Sequence, residues 1–588
     1  MEVMKKTKIV CTIGPASESE EILTKLVQEG MNVARLNFSH GTHEEHRKKI
    51  ETLRRVRAKM GVPLAIALDT KGPEIRLGTF VEGPVQIRRG DKLTLTTRDV
   101  PGTKAIVHIS YAGLPQDVVT GTRILIDDGL VEFVVERVDN GTDIVCVAQN
   151  FGEISDRKGV NVPSTNIKLP AITESDLSDI LFGIDMGVDF IFASFIRTAE
   201  DVLHIRKILE ENGGSDIHIY AKIESAQGVA NLDEILEAVD GLMVARGDLG
   251  VEIPTQEVPL VQKEIIRKSN LAGKPVITAT QMLDSMTRNP RPTRAEVNDV
   301  ANAILDGSDA IMLSGETAAG KYPVQAVRQM NMIARTTEAS VDFRKSVANR
   351  ETWMERETSS AIALSTCRIA AALETKAIVT ATASGYTSRQ ISKFRPAATI
   401  IAATPREDVA RKLSICWGVC PVLSVDSEHT DELIERSIYA AMQTGYVSEG
   451  DQIVLTAGIP VGQGQSTNMI KVHTIGDILL VGTGLGRQSI AGKVCIGSTA
   501  EELQPIFEDG DILVASYTDA DLVNYIERAS GLIVEEGGLT SHAAVVALHY
   551  NKPAIIGAEK ATQMLKQGDL VTIDAISGLV YAGKAQVI

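Results

Sequence analysis

The first half of the chain repeats one hydrophobic pattern. A short, continuous run of apolar and β-branched residues ends in polar or glycine-rich residues, and an amphipathic stretch follows. Such runs begin near residues 8, 31, 63, 189, 218, 241, 274 and 309. Continuous apolar runs are typical of parallel strands buried on both faces, and the later spacing fits one strand plus one helix. The pattern predicts eight βα units that close into a barrel.

A long interruption, at residues 72–169, separates the third run from the fourth. It contains alternating segments such as "LVEFVVERV" and many glycine-containing turns such as "DDG" and "DNG". This pattern predicts a small β domain inserted into the barrel. Because the insertion lies in a loop after a strand, it belongs over the end of the barrel that carries active sites. We therefore expect it to act as a lid.

Two further α/β patterns follow the barrel. Residues 344–474 contain strand-like runs such as "KAIVTATASG" and "DQIVLTAG", which predict a three-layer α/β domain. Residues 475–588 contain short runs such as "DILVAS" and "PAIIGA", which predict a separate β/α domain. With the barrel at residues 1–71 and 170–343 and the lid at 72–169, four domains are predicted, as is reasonable for 588 residues.

Composition narrows the possible functions. A net charge of −16 argues against general binding of nucleic acid or anionic membranes, although a local basic cluster would still bind phosphate metabolites. No apolar run approaches the ~20 residues that span a bilayer, and the N-terminal run is too short for a signal peptide. Six scattered cysteines without a histidine cluster indicate buried thiols rather than a zinc site. We expect a cytoplasmic protein.

Polar residues collect at the ends of the barrel runs. Lys222 and Glu224 stand two apart in "AKIES", so both side chains point the same way on a strand. Asp248 ends the next run, after Gly247, which lets a ligand approach the backbone. Two carboxylates on neighbouring strand ends, completed by substrate oxygens, suit Mg²⁺.

Positive charge surrounds the same end of the predicted barrel. Arg35 ends the second run and Arg76 follows the third. Together with a metal and Lys222 they suit phosphoryl transfer, in which a protein mainly positions reactants and neutralises charge. Each of these residues alone also fits a structural ion pair or a solvated surface charge. The convergence of polar groups at one end of most runs favours a site.

Oxygen donors follow the second and third runs. They are Asn37, Ser39, Asp69 and the carbonyl of Thr70. Hard oxygen ligands with little charge would suit a monovalent cation. Asn37 and Ser39 equally fit a cap of the next helix.

Long motifs in residues 6–473 together resemble the pyruvate kinase family. They include "TKIVCTIGPAS", "GMNVARLNFSHG", "LDTKGPEIR", "KGVNVP", "IYAKIES", "GLMVARGDLGVEIP" and "GKPVITATQMLDSM". The resemblance implies a (β/α)8 TIM barrel with an inserted small β-barrel lid and a three-layer α/β regulatory domain. It implies transfer of a phosphoryl group from phosphoenolpyruvate to ADP, giving pyruvate and ATP in the last step of glycolysis. It also implies Mg²⁺ and K⁺ as cofactors and a homotetramer.

The resemblance implies roles for individual residues. Lys222 would stabilise the phosphoryl group in flight, and Arg35 would bind the substrate phosphate. Glu224 and Asp248 would bind Mg²⁺, and the K⁺ ligands would be Asn37, Ser39, Asp69 and Thr70. Arg76 and Lys158 would contact the nucleotide phosphates, with His40 nearby. The substrate pocket would be lined by Gly247, Asp248 and Thr280, and the enolate would be protonated near Thr280 and Ser314. A glutamate at position 74 accompanies K⁺ dependence in the family, so we expect K⁺ to stimulate.

The α/β domain resembles the regulatory domain of the same family. Its "TATASGYTS" loop supplies Thr382, Ser384, Gly385 and Thr387, which would form a phosphate nest. The glycine-rich stretch "AGIPVGQGQSTN" would cover it. We expect an allosteric site for a phosphorylated sugar or nucleotide, with a plain turn at a strand end as the alternative.

The final domain contains "EEGGLTSHAAVV" at residues 535–546. This stretch resembles the swivelling phosphohistidine domain of enzymes that use phosphoenolpyruvate, so His542 is a possible phosphohistidine. Gly537, Gly538 and Ser541 would form a helix N-terminus suited to an anion. The sequence offers no nucleotide-grasp domain to charge the histidine, and direct transfer needs no relay. We expect the domain to be structural or regulatory.

Three other functions compete with this interpretation. A dikinase-like relay enzyme is favoured by His542 and opposed by the missing nucleotide-grasp domain. A Mg²⁺-dependent lyase on a similar barrel would not need the lid, Lys158 or the four K⁺ donors. A non-catalytic scaffold would have lost Lys222, Glu224 or Asp248, and all three are present.

Overall fold

The computed structural model of the chain describes residues 5–163, 165, 167–426, 429–459, 467–476, 478–576 and 578–585. The chain folds into two units, one of residues 1–346, 388–395 and 406–421, the other of residues 347–387, 396–405 and 422–588. In the described ranges, no helix combines the length and apolarity that a membrane span requires.

The first unit starts with three strands and two helices. They are β1 (Lys8–Thr12), α1 (Glu20–Gln28), β2 (Val33–Asn37), α2 (His43–Met60) and β3 (Ala65–Asp69). Thr42 and Glu45 form a reciprocal capping box at the start of α2, and Gly61 ends that helix with a left-handed backbone. The strands are almost wholly buried, as continuous apolar runs predict.

The insertion after β3 consists mainly of strands. Its elements are β4 (Val85–Ile87), β5 (Lys92–Thr96), β6 (Ile106–His108), α3 (Leu114–Asp117), β7 (Arg123–Ile126), β8 (Val131–Asp139), β9 (Asp143–Ala148), β10 (Gly152–Ile154) and β11 (Val160–Asn161). They form a six-stranded sheet in the order β11-β7-β8-β9-β5-β6 and a separate β10-β4 pair. Alternate residues at the start of β8 are buried in a core of the insertion's own.

The chain then completes the barrel. The elements are α4 (Glu174–Asp185), β12 (Phe190–Ala193), α5 (Ala199–Glu211), β13 (His218–Ile223), α6 (Ala226–Ala230), α7 (Leu232–Ala238), β14 (Gly241–Ala245), α8 (Arg246–Glu252), α9 (Val258–Leu271), β15 (Val276–Ala279), α10 (Arg294–Asp306), β16 (Ala310–Leu313), α11 (Gly315–Ala318), α12 (Pro323–Ala339) and α13 (Phe343–Asn349). Strands β1, β2, β3 and β12 to β16 close into a barrel of parallel strands. All eight predicted runs are its strands, so the predicted barrel is confirmed.

A five-stranded sheet comes next in the chain. Its elements are α14 (Thr358–Ala372), β17 (Ala377–Ala381), α15 (Tyr386–Lys393), β18 (Thr399–Thr404), α16 (Glu407–Leu413), β19 (Val419–Leu423), α17 (Thr430–Gln443), β20 (Gln452–Ala457) and β21 (Met469–Thr474). The strand order is β19-β18-β17-β20-β21, in which β17 is parallel to both neighbours and β21 is antiparallel.

The last part of the chain forms a mixed eight-stranded sheet. Its elements are β22 (Ile478–Val481), β23 (Thr483–Leu485), β24 (Ser489–Ile496), α18 (Ala500–Leu503), β25 (Ile512–Ala515), α19 (Val523–Arg528), β26 (Gly531–Val534), α20 (His542–His549), β27 (Ala554–Ile556), α21 (Ala561–Met564), β28 (Leu570–Asp574) and β29 (Leu579–Ala582). Strands β24 to β27 are parallel neighbours. The predicted β/α character of this region is confirmed, while the residue boundaries predicted for the four domains remain predictions.

One buried ion pair joins distant parts of the first unit. The Arg395 Nη2 atom lies 2.9 Å from Asp309 Oδ2, and both side chains are 5% exposed. The guanidinium also donates to the Gly307 carbonyl at 2.9 Å and lies 4.9 Å from the Trp417 ring. A buried carboxylate that loses its cation is strongly destabilising, because its desolvation is no longer compensated.

We expect Arg395→Met to lower the free energy of unfolding of this unit by about 3 kcal/mol. The measurement is urea denaturation monitored by the fluorescence of Trp417. A Trp353→Phe background leaves Trp417 as the one tryptophan that gives the signal. The control is Arg328→Met, because the Arg328–Glu29 pair has its arginine 57% exposed. Exposed pairs contribute at most about 1 kcal/mol. An equal loss of unfolding free energy in the two variants would contradict the prediction.

Candidate active site

Four charged side chains form a strand-end charge cluster: Arg35 on β2, Asp69 on β3, Lys222 on β13 and Glu224 just after it. The Asp69 carboxylate accepts from Arg35 Nε at 2.6 Å and from Lys222 Nζ at 3.2 Å. The Lys222 Nζ atom also lies 3.0 Å from Glu224 Oε1. Every member is buried. Charges of alternating sign therefore run from the end of β2 to the end of β13.

The protonation equilibria of the cluster reflect burial and mutual attraction. Burial alone would raise the pKa of Asp69, but Arg35 and Lys222 outweigh it and hold that pKa below its ordinary value. Burial alone would lower the pKa of Lys222, yet Asp69 and Glu224 raise it above the ordinary value. Burial raises the pKa of Glu224 to about 7, opposed by Lys222 and reinforced by Asp248. The lysine is therefore a permanent cation at neutral pH.

Ser194, which the sequence interpretation missed, fixes the lysine from the end of β12. Its hydroxyl accepts from Lys222 Nζ at 2.8 Å and donates to the Thr70 carbonyl at 2.6 Å. The next residue, Phe195, has a left-handed backbone with φ of 54° and donates its N–H to Glu224 Oε2 at 2.6 Å. Ser194 directly follows the apolar run of β12, so its strand-end position is the sequence signal that points to it.

Asp248 lies in the first turn of α8, directly after β14. Burial raises its pKa, Lys222 lowers it, and Asp128 of the insertion raises it further. The preceding Gly247 packs on Thr280, since a Cβ added to Gly247 would lie 3.0 Å from Thr280 Cγ2. The structure thus brings together the two predicted carboxylates and the predicted pocket residues Gly247 and Thr280.

A cleft of about 670 Å³ separates the insertion from the barrel. Arg76, Lys158 and Asp248 line it. Arg76 Nε donates to Glu74 Oε2 at 2.7 Å, and Lys158 Nζ donates to Asp127 Oδ1 at 2.9 Å. These two cations therefore face the cleft while paired with acidic neighbours, and they are not bonded to the strand-end charge cluster.

The connections between insertion and barrel are tied to the same end of the barrel. Gly72 has a φ of 73°, and an added Cβ would lie 2.8 Å from Phe195 and 2.9 Å from Ser194. The returning connection is held by Arg197, whose Nη1 donates to the Ile167 carbonyl at 2.7 Å. The insertion is therefore anchored beside the strand-end charge cluster.

The predicted K⁺ donors lie at the ends of β2 and β3. Asn37 and Asp69 are direct partners in the strand register. Asn37 Oδ1 accepts the Ser39 N–H at 3.1 Å, but the alternative that these two residues cap the next helix is wrong, because Thr42 is the N-cap of α2. A second pocket, of about 740 Å³, is lined by Thr12, Asn37 and His40. His40 is thus placed beside the mouth, on the side of β1 and β2.

Ser314 follows β16 and is held by its own loop. Its N–H donates to Glu316 Oε2 at 2.7 Å, and the other carboxylate oxygen accepts from the Leu283 N–H at 3.0 Å. Burial raises the pKa of Glu316. Glu316, also missed in the sequence, therefore ties the loop after β16 to the loop after β15, where Thr280 lies.

The predicted effector loop connects β17 to α15. Thr382 Oγ1 accepts the Gly385 N–H at 2.9 Å, and Gly385 has a φ of 77°. The Thr387 and Thr467 hydroxyls share a hydrogen bond of 2.7 Å, and Ser384, which precedes Gly385 in the loop, is exposed. Most of the predicted covering loop, residues 460–466, lies outside the described residues.

His542 is the first residue of α20. Its Nδ1 atom shares a hydrogen bond of 2.9 Å with the Thr518 hydroxyl, and the Ser541 hydroxyl caps the helix by accepting the Ala544 N–H at 3.3 Å. Thr518 is buried. The imidazole is therefore oriented through Nδ1 at a helix N-terminus, where an anion would be stabilised.

Three family models match consecutive parts of the chain. They are the pyruvate kinase barrel domain at residues 4–327, the pyruvate kinase alpha/beta domain at residues 360–473, and the mobile domain of PEP-utilising enzymes at residues 507–578.

Curated relatives match the whole chain. A pyruvate kinase of Geobacillus stearothermophilus is 52% identical over 99% of this chain and 100% of its own length. The pyruvate kinase of Staphylococcus aureus strain MRSA252 is 50% identical over 100% of both chains. The crystal structure of a pyruvate kinase from Cryptosporidium parvum matches with a TM-score of 0.76 and 40% identity, over 80% of this chain and 96% of that one. Because fold, strand-end chemistry and full-length similarity agree, the chain belongs to the pyruvate kinase family and is a phosphotransferase.

Proposed function

We propose that the barrel mouth transfers the phosphoryl group of phosphoenolpyruvate directly to ADP, giving pyruvate and ATP. The observation that carries this proposal is the strand-end charge cluster, in which Lys222 is held as a cation 3.2 Å from Asp69 and 3.0 Å from Glu224. Phosphoryl transfer needs fixed positive charge at the group in flight rather than covalent chemistry from the protein. Lys222 supplies that charge without a reorganisation step.

The neighbouring residues orient the substrate. Arg35 takes the phosphate, because its guanidinium is fixed by Asp69 and by the Thr12 hydroxyl at 2.9 Å. Gly247 and Asp248 lie in the first turn of α8 and present backbone N–H groups to the substrate carboxylate. Thr280 completes the pocket. After transfer, the enolate receives a proton at C3 near Thr280 and Ser314.

The donor sets at the mouth fit the two proposed cations. Glu224 and Asp248 supply carboxylate oxygens at neighbouring strand ends, which fits Mg²⁺ completed by substrate oxygens. Asn37, Ser39, Asp69 and Thr70 supply mostly neutral oxygens, which fits K⁺. These ions would neutralise the charge that phosphate and carboxylate bring to the site.

The lid serves the nucleotide. Arg76 and Lys158 face the cleft and exchange their acidic partners for the phosphates of ADP, with His40 on the other side of the mouth. A lid closed over the cleft excludes water, which would otherwise accept the phosphoryl group.

The other domains take supporting roles in this proposal. Thr382, Ser384, Gly385 and Thr387 bind the phosphate of a sugar or nucleotide effector. Family membership also supports a homotetramer that acts in the cytoplasm. A phosphoryl relay through His542 is the second candidate function, favoured by the Thr518–His542 hydrogen bond of 2.9 Å.

The decisive measurement is pyruvate formation from phosphoenolpyruvate and ADP with Mg²⁺ and K⁺. The parent and His542→Ala are expected to turn over alike, because transfer is direct. Lys222→Met is expected to lose at least about 100-fold in kcat, as removal of a group that stabilises developing charge does. Loss of turnover in His542→Ala would establish the relay. Absence of turnover in the parent would overturn the proposal altogether.

The Ser194 hydroxyl is expected to position Lys222. Ser194→Ala removes one hydrogen bond to a charged group, so kcat should fall about 10- to 100-fold while the KM for ADP changes little. Steady-state kinetics with each substrate varied measure this. Ser110→Ala is the matched control, because its hydroxyl accepts the Arg76 backbone N–H at 2.9 Å and donates to the Glu74 backbone carbonyl at 3.5 Å, on the insertion rather than at Lys222. An unchanged kcat in Ser194→Ala would count against the positioning role.

Glu74 is expected to set the dependence on K⁺. Glu74→Lys places a fixed ammonium group at the end of the cleft, so the rate without K⁺ should approach the rate with it. Initial rates in K⁺ and in tetramethylammonium are compared. The control is Glu132→Lys, since Glu132 is another glutamate of the insertion that pairs with an arginine, Arg123, at 2.7 Å. A variant that still needs K⁺ would contradict the assignment.

A further inference from the structure

The turn after β15 has a strained backbone. Thr280 has a φ of 73° and Gln281 a φ of 55°, so two consecutive residues with side chains adopt the left-handed conformation. This conformation is rare for residues other than glycine and unusual for a β-branched residue such as threonine. Such strain persists only where the surroundings enforce it, and it is concentrated at functional sites.

Arg246 holds this turn by its carbonyl groups. Its Nε donates to the Ala279 carbonyl at 3.0 Å, and its Nη2 donates to the Thr280 carbonyl at 2.6 Å. The remaining nitrogen, Nη1, donates to Asp299 Oδ1 at 2.8 Å. The guanidinium reaches these acceptors with three nitrogen atoms held in a fixed planar fork, whereas the three donors of an ammonium group all radiate from one nitrogen. The arginine side chain is 13% exposed, so these bonds are largely shielded from water.

The Arg246 guanidinium, bonded to the Ala279 and Thr280 carbonyls and to Asp299, forms a clamp that connects three elements of the barrel. Arg246 begins α8 directly after β14, and β14 pairs with β15 so that Ala245 lies opposite Ala279. Asp299 lies on α10 and fixes the guanidinium from the side. Gly247, the next residue, packs on the Thr280 methyl group. Consecutive residues of α8 thus fix the backbone and the side chain of Thr280.

We propose that Arg246 is a positioning residue for the protonation half of the reaction. It acts through Thr280, and this inference rests on the role proposed for Thr280 above. In this step C3 of the enolate gains a proton that the Thr280 hydroxyl passes on from solvent, the electron pair of the C=C bond forms the new C–H bond, and the C2 oxygen becomes the pyruvate carbonyl. Release of the Thr280 carbonyl would let the turn relax and move the hydroxyl away from C3.

The test separates protonation from phosphoryl transfer. The enolate step is measured by the exchange of the pyruvate methyl protons with D₂O. This exchange is monitored by ¹H NMR with Mg²⁺, K⁺ and ATP present. Pyruvate formation from phosphoenolpyruvate and ADP measures the whole reaction. For Arg246→Met we expect proton exchange to fall about 100-fold, the loss typical of a misplaced group, with less than about a 3-fold change in the KM for phosphoenolpyruvate. Arg246→Lys should recover part of the exchange rate.

A double-mutant cycle tests whether Arg246 acts through Thr280. In a Thr280→Ala background, Arg246→Met should lower exchange by no more than about 3-fold, because the group it positions is gone. A further loss near 100-fold would overturn the inference. The matched control is Arg206→Met, since Arg206 also joins an aspartate, Asp240 at 2.7 Å, to a backbone carbonyl, but at the amino ends of the strands. It should leave exchange unchanged.

Folding and the wider proposal are controlled separately. Thermal unfolding of each variant identifies loss of structure. If Arg246→Met fails to fold, Asp299→Asn takes its place, because it loosens the clamp without removing it. Asp299→Asn should lower the rate of proton exchange by a smaller factor. Unchanged exchange in both Arg246→Lys and Asp299→Asn would overturn the inference while the parent remains active. A parent without turnover would instead overturn the proposed function.

Discussion

The site depends on one buried carboxylate, that of Asp69. Its two oxygens are shared between Arg35 at 2.6 Å and Lys222 at 3.2 Å, and the residue is 1% exposed. A buried charge is tolerable only when it is paired and hydrogen-bonded, so each member of the cluster constrains the next. Because the members come from β2, β3 and β13, the cluster exists only when the barrel is closed. The charges of the candidate site and the tertiary structure are therefore stabilised by the same contacts.

Backbone strain surrounds this cluster. Phe195, Thr280 and Gln281 have left-handed conformations directly after two of the strands. Each strained segment is held by a charged side chain, Glu224 in the first case and Arg246 in the second. A rigid barrel can support such strain because its strands are almost completely buried and cannot relax. The insertion, by contrast, reaches the barrel through the turn at Gly72 and a returning connection that Arg197 holds.

The second half of the chain has two polar positions of a different kind. The loop at Thr382 and the histidine at His542 both lie where a strand of a parallel pair leads towards the start of a helix. At such positions N–H groups and hydroxyls supply partial positive charge without lysine or arginine. Local positive potential of this kind arises in a chain whose net charge is −16. Full-length relatives named pyruvate kinase include this last domain in their matched length.

The sequence alone determined the architecture and most of the candidate site. The pattern and length of the apolar runs, together with the turn residues, indicated each barrel strand and the insertion. These are local properties of the chain, so the sequence alone displays them. Strand ends identified Lys222, Glu224 and Asp248, since the carboxyl ends of parallel strands meet at one end of a barrel. Only the tertiary structure decided which polar groups are partners. Ser194 on Lys222, Glu316 beneath Ser314 and Arg246 on the Thr280 turn depend on side-chain directions across strands far apart in the chain. No periodicity encodes such contacts, because they are set by strand register and barrel closure.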